Sequence, residues 1–180
     1  NNLVAEVVSI INPLAQQKNI ELLQHPAAGL GPMVNDTAKC RHILQNLVGN
    51  AVKFTEAGRV EISTQQKGGE IQIAIRDTGI GISNEHLPHI FDEFRQADGS
   101  TSRRFGGTGL GLAIAKKYAQ LLGGSISVKS VLGEGSVFTL SLPLRLEPDS
   151  TDLKDADDRF NETPLMPARA GAASDLAQKT

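Results

Sequence analysis

Asp77-Thr78-Gly79-Ile80-Gly81-Ile82 is the stretch around which the chain is organised. It follows Glu70-Ile71-Gln72-Ile73-Ala74-Ile75-Arg76, where Ile71, Ile73 and Ile75 alternate with other residues as a half-buried strand requires. A single carboxylate therefore stands where the strand stops. Gly79 and Gly81 behind it let the backbone turn sharply and approach a ligand with no Cβ in the way. Taken alone, the segment reads equally well as a strand-ending turn, because Asp and Gly form turns for local reasons.

An aspartic protease elbow also reads Asp-Thr-Gly, but two such carboxylates must share a proton, so that reading needs a second copy or a homodimer. The flanking sequence decides against it. Upstream, Asn35 or Asp36 caps a predicted helix running to about Phe54, with Leu44, Leu47, Val48, Ala51 and Val52 on one side. Lys39, His42, Asn46, Asn50 and Lys53 fall on the opposite stripe, each three or four residues from the next. Such a stripe is usually a solvated face. Asn, however, costs up to about 0.7 kcal/mol relative to Ala inside a helix, and Glu or Lys would serve solvent equally well. An amide offers a carbonyl oxygen to a hard cation and an N–H to phosphate, so Asn46, Asn50 and Lys53 have the makings of half a Mg-phosphate site. Between this helix and the Asp77 strand, Thr55-Glu56-Ala57-Gly58 is a turn, Val60, Ile62 and Thr64 alternate on a strand, and Lys67-Gly68-Gly69-Glu70 closes a hairpin.

Downstream, Ser83 to Pro88 begins a short helix, and Phe91 and Phe94 are apolar anchors whose simplest role is core packing. Residues 95–105 follow neither period and carry three arginines, Arg95, Arg103 and Arg104, in what reads as a mobile loop. Gly106-Gly107-Thr108-Gly109-Leu110-Gly111-Leu112 then opens a helix from Ala113 to Leu122, closed by Gly123-Gly124. A glycine-rich helix start presents backbone N–H groups at the positive end of the dipole, which suits phosphate. It is not a P-loop, because Leu112 stands where Lys is needed. Nor is it a dinucleotide fingerprint, because Ile114 stands where Gly or Ala is needed. Two strands around Ser125–Lys129 and Ser136–Leu142 end the patterned region. Ahead of it all, residues 3–17 are apolar at helical spacing with a kink or break expected at Pro13, a strand covers 20–24, and 31–34 add a few extended residues.

The 180 residues suffice for one domain with a real core, which must be aliphatic at 4% aromatic residues and no Trp. No apolar run reaches 18 residues and the first residues, Asn1-Asn2, lack the basic start of a signal peptide, so neither a membrane span nor a leader is expected. The missing Met suggests an excised fragment. One cysteine, Cys40, excludes an internal disulfide and reads as a packing residue, consistent with a cytoplasmic setting. From Glu147 the chain carries eight acids against four bases among scattered prolines and alanines, the composition of a disordered linker or tail. The expected division is therefore 1–146, folded, and 147–180, tail. Residues 1–146 carry a net charge of only +2, too weak for a nucleic-acid footprint.

The order of asparagine helix, Asp-Thr-Gly-Ile-Gly, paired Phe and Gly-Gly-Thr-Gly-Leu-Gly-Leu resembles the ATP-binding catalytic domain of sensor histidine kinases, in the superfamily shared with gyrase and Hsp90 ATPases. The resemblance covers residues 3–143. It rests on Asn46 to Thr55, Asp77 to Ile82, Phe91 to Arg95 and Gly106 to Leu112. It implies an α+β fold, a two-layer sandwich whose mixed, mainly antiparallel sheet is covered on one face by about three helices. It implies ATP and Mg²⁺ as cofactors. Asp77 resembles the carboxylate that accepts from the adenine amino group, with Gly79, Gly81 and Ile82 shaping the base pocket and Phe54 flanking the base. Asn50 resembles the Mg²⁺ ligand, and Asn46 and Lys53 the phosphate-side and catalytic contacts. Phe94, in the Phe91 to Arg95 box, is implied to be an ATP-binding residue, and Arg95, Arg103 and Arg104 fall in the region that resembles the mobile ATP lid. The backbone of Gly107, Thr108, Gly109, Leu110 and Gly111 would cradle phosphates.

In gyrase- and Hsp90-like ATPases a Glu stands where this chain has Asn46, which cannot act as a base, so rapid self-hydrolysis of ATP is not implied. The implied reaction is phosphoryl transfer by positioning and charge neutralisation. The acceptor would be a His followed by an acidic residue on a dimerisation helix, and His25, His42, His86 and His89 all lack that acidic neighbour. Implied partners are that helix and a response-regulator receiver domain, separate or fused, with no nucleic acid and no membrane contact by this fragment. A nucleotide-binding regulatory module without phosphotransfer is the alternative.

Overall fold

The computed structural model describes residues 1–93 and 109–145. In chain order the elements are α1 (Asn2–Gln17), β1 (Ile20–His25), α2 (Thr37–Phe54), β2 (Gly58–Lys67), β3 (Glu70–Asp77), a 3₁₀ turn (Leu87–His89), α3 (Gly111–Leu121), β4 (Ser125–Val131) and β5 (Gly135–Pro143). The five strands form one sheet in the order β1-β2-β3-β5-β4, parallel between β1 and β2 and antiparallel elsewhere. The three helices pack on its buried face, giving the α+β sandwich expected.

Period two determines that face. Ile71, Ile73, Ile75 and Asp77 are the buried positions of β3, while the residues between them are half-buried or exposed. Their cross-strand partners are buried as well: Ile75 stands opposite Ile62 and Phe138, Ile73 opposite Leu140, and Ile71 opposite Leu142. Asp77 is thus the last member of an inward-facing apolar row, opposite Val60 on one side and Ser136 on the other. Onto this row α2 lays Cys40, Ile43, Leu44, Leu47, Val48, Ala51 and Val52, all buried and spaced as one face of a 3.6-residue helix. Each such aliphatic side chain contributes roughly 1.5–3 kcal/mol when removed from water. Cys40 is among them, and burial pushes its thiol up to about 11, so it is an inert packing residue.

The helix ends follow local chemistry. Asp36 caps α2, its Oδ1 accepting from Lys39 N at 3.0 Å. Beyond α3, Gly123 adopts φ +68° and donates to Gln120 O, while Gly124 donates to Ala119 O, the two bonds of a Schellman motif. Asn19, at φ 54°, ends α1 in the same left-handed region.

Four local expectations change. α1 is not broken at Pro13, because Pro13 and Ser9, whose carbonyl loses its partner, are both exposed and water can serve it. The stretch from Ser83 makes one i→i+4 bond, Leu87 N to Ser83 O, among i→i+3 turns and a single 3₁₀ turn rather than an α-helix, Pro88 having no N–H to extend it. Residues 31–34 contribute only one bridge, Val34 to Arg145. α3 begins at Gly111, two residues earlier than its apolar pattern, with Ile114 N already bonded to Leu110 O. No helix among the described residues is long and apolar enough to cross a membrane.

Candidate functional site

The Asp77 segment is braced from three sides. Thr78 N donates to Arg59 O, and the Thr78 hydroxyl pairs with the same residue's backbone. Ile80 N donates to Phe54 O at the end of α2, Gly133 N to Ile80 O, and Ile82 N to the Ser130 hydroxyl at 2.8 Å. Ser130 spends its own proton on Gly135 O, so the neighbouring Ser136 hydroxyl, 2.9 Å away, is the donor between the two serines. A Cβ on Gly79 would fall 2.4 Å from Phe54 O, and one on Gly81, which has φ +66°, would fall 2.0 Å from Val131 O. The glycines are therefore required by the protein's own backbone: they let the loop close against α2 and the β4–β5 hairpin.

Asp77 itself is 5% exposed. Its Oδ1 accepts from Gly79 N at 2.9 Å and from Ser136 N at 3.3 Å. Burial raises the carboxyl above its ordinary value, and these two bonds only partly pull it back. Both bonds fall on Oδ1 and neither on Oδ2.

The asparagine stripe faces a different environment. Asn46, Asn50 and Lys53 line one open groove of about 350 Å³ together with Leu14, Lys18, Gln45 and Gly49. Asn46 Nδ2 donates back to His42 O at 2.9 Å, which leaves Oδ1 facing the start of α3. A Cβ on Gly111 would sit 2.4 Å from that oxygen, so the glycine loop and the asparagine helix meet at this point. The Lys53 ammonium lies 4.9 Å from the Phe54 ring centre, and burial lowers its pKa. The remaining stripe residues do other work: Lys39 pairs with Asp36 at the far end of α2, and His42 packs edge-on against Tyr118 of α3. Of the paired phenylalanines, Phe91 packs edge-on against Phe138 beneath Lys116. Gly109 and Leu110 lead into α3, whereas Phe94, Arg95, Arg103, Arg104, Gly107 and Thr108 lie outside the described residues.

The C-terminal half of α2 thus anchors the loop of a buried carboxylate through Phe54 and lines an open groove with amides and a cation. The description "histidine kinase-, DNA gyrase B-, and HSP90-like ATPase" matches residues 35–146. The chain belongs to this ATPase family. Among named relatives it is 40% identical over 160 residues to the sensor histidine kinase GacS of Pseudomonas protegens, covering 84% of this chain and 17% of that protein. Its fold matches a crystal structure of full-length ShkA in complex with AMPPNP, with TM-score 0.71 and 34% identity, over 79% of this chain and 29% of that one. It also matches a nucleotide-free catalytic domain of the histidine kinase ThkA, with TM-score 0.70 and 26% identity, over 81% and 94% of the two chains. The match to ThkA identifies this ATPase domain as the catalytic type found in histidine kinases. It spans about one sixth of the length of GacS.

Sequence reasoning missed Ser130, Ser136, Lys18, Gln45 and Gly49. The serines had a signal, since they stand opposite each other across the β4–β5 hairpin. Lys18 had none, because it reaches the groove from another helix.

Proposed function

We propose that this domain binds Mg-ATP and donates its γ-phosphoryl group to a histidine on a dimerisation helix outside these residues. The observation that carries the reading is the linkage through Phe54: its carbonyl anchors the loop of buried Asp77, and the preceding turns of the same helix present Asn46, Asn50 and Lys53 to the groove. One rigid element therefore relates a base-reading carboxylate to an anion-binding surface. In this reading Asp77 Oδ2 accepts from the adenine amino group, and Phe54 flanks the base. Lys53 and Asn46 hold phosphate oxygens with the backbone of Gly109, Leu110 and Gly111, and the lid arginines Arg95, Arg103 and Arg104 add positive charge from outside.

Mg²⁺ fits the donor set. A single amide oxygen, Asn50, suits an ion that takes most of its ligands from water and substrate phosphates. The ion would supply charge neutralisation on the transferring group. Asn46 orients substrate and cannot remove a proton, which favours transfer to a positioned imidazole over hydrolysis by activated water. The division at 146/147 is supported by the family match ending at residue 146 and by the acidic composition beyond it. On this reading that segment leads toward a receiver domain.

The test is transfer from labelled ATP. This chain alone is expected to gain no acid-labile phosphate, and an added dimerisation helix bearing His followed by an acidic residue is expected to gain it. Acid-labile phosphate on this chain, or ATP bound no more tightly than GTP, would overturn the assignment.

A further inference from the structure

The last four carbonyls of a helix lack intrahelical partners and must be satisfied from elsewhere. In α2 each has a known donor. Ala51 O accepts from Thr55 N and Thr55 Oγ1, and Phe54 O from Ile80 N. The two between them, Val52 O and Lys53 O, both accept from the ammonium of Lys18, each at 2.7 Å. Lys18 comes from the end of α1, at the left-handed turn made by Asn19, and so closes the C-terminus of a helix to which it does not belong. It is half-buried and lines the same groove as Asn46, Asn50 and Lys53. Burial lowers its pKa, and the Glu56 carboxylate just past α2 opposes that shift.

We propose that Lys18 is a positioning residue of the nucleotide site, holding the final turn of α2 so that Lys53 and Asn50 present a fixed surface to phosphate. The physical reason is geometric and electrostatic. Two carbonyls bound to one ammonium cannot rotate independently, and the turn they belong to carries Lys53. A cation at the helix C-terminus also offsets the negative end of the dipole, which would otherwise repel a polyphosphate placed beside it. An uncharged residue here leaves two carbonyls to water and that end of the groove more negative. Adenine, read at Asp77, is unaffected.

The inference rests on the ATP reading above, and the experiment separates the two. In Lys18→Met, calorimetric titration is expected to give an ATP affinity about tenfold weaker with adenosine affinity unchanged, and Lys18→Arg is expected to restore ATP affinity to within about threefold. Unchanged ATP affinity, or equal loss for ATP and adenosine, would overturn the role of Lys18, the second because it marks a merely structural effect. Should Lys18→Met fail to fold, Lys18→Gln carries the same test with the same outcomes. Asp77→Asn is titrated alongside: if it binds ATP normally, the site assignment itself fails, whereas its loss of ATP beside an intact Lys18→Met overturns only the inference about Lys18.

Discussion

The two regions that meet at the C-terminal half of α2, the Asp77 loop and the Asn50 groove, are built in opposite ways. At the Asp77 end the backbone is over-determined: the loop is held by Phe54, Arg59, Ser130 and Gly133, two glycines are in contact with foreign carbonyls, and the carboxylate is almost fully buried. At the Asn50 end the side chains line an open groove. On the proposed reading, the difference follows from what each region recognises. Selecting one base needs a single acceptor fixed in a dry site, where an unmatched partner leaves a buried polar group unpaired. Binding a hydrated metal-phosphate needs accessible donors that tolerate water and exchange.

Substitutions can break this contrast. The largest effect is expected from Asp77→Asn. Losing a hydrogen bond to a charged acceptor and facing the adenine amino group with an amide is worth about 1.5–3 kcal/mol or more, so ATP affinity measured by calorimetry should fall roughly ten- to hundredfold with the fold intact. Gly79→Ala comes next, because its Cβ would meet Phe54 O and force the loop off α2. A cost of about 1–3 kcal/mol in denaturant unfolding is expected, with weaker ATP binding as the loop shifts. At the open end, Asn50→Asp should leave unfolding free energy within about 0.5 kcal/mol while changing the Mg²⁺ dependence of ATP binding. Smallest of all, Lys39→Met should alter ATP affinity less than about twofold, because Lys39 pairs with Asp36 away from the groove.

Acidity sharpens the same comparison. The folded pKa of Asp77 is raised above its ordinary 3.8. Its contribution to stability is therefore fully present below that value and lost as pH rises through the higher folded value. Thermal unfolding of the ligand-free protein across acidic to neutral pH should show Asp77→Asn gaining stability relative to the parent as pH rises. A variant that instead loses stability relative to the parent as pH rises would mean the carboxylate is not held in a desolvated site. Asp77, the proposed base-reading residue, is thus one that the domain carries at a cost once ionised, as functional positions often are.

Much of this was legible in the chain. Ile71, Ile73 and Ile75 at period two already place Asp77 on the inward face, since side chains two apart share a side of the sheet. The stripe of Asn46, Asn50 and Lys53 follows from the 3.6-residue turn, and the structure places all three on one groove. Gly79 and Gly81 were recognisable as close-approach positions. What approaches them was not: the expected neighbour was a ligand, and the observed neighbours are the carbonyls of Phe54 and Val131. Only three of the five stripe residues face the groove, because Lys39 and His42 are claimed by Asp36 and Tyr118.

The sequence by itself determined which residues face inward, where the main helices stop and which side chains share one stripe of α2, because periodicity and capping act over three or four residues. The tertiary structure alone decided the partners. β5 inserts between β3 and β4, which sets Ser136 against Asp77 and brings the β4–β5 hairpin over Gly81. The turn after α1 delivers Lys18 to carbonyls 34 and 35 positions away. Periodicity states the side on which a residue lies, but not what it will meet there, and contacts across such separations depend on the order in which the strands pack.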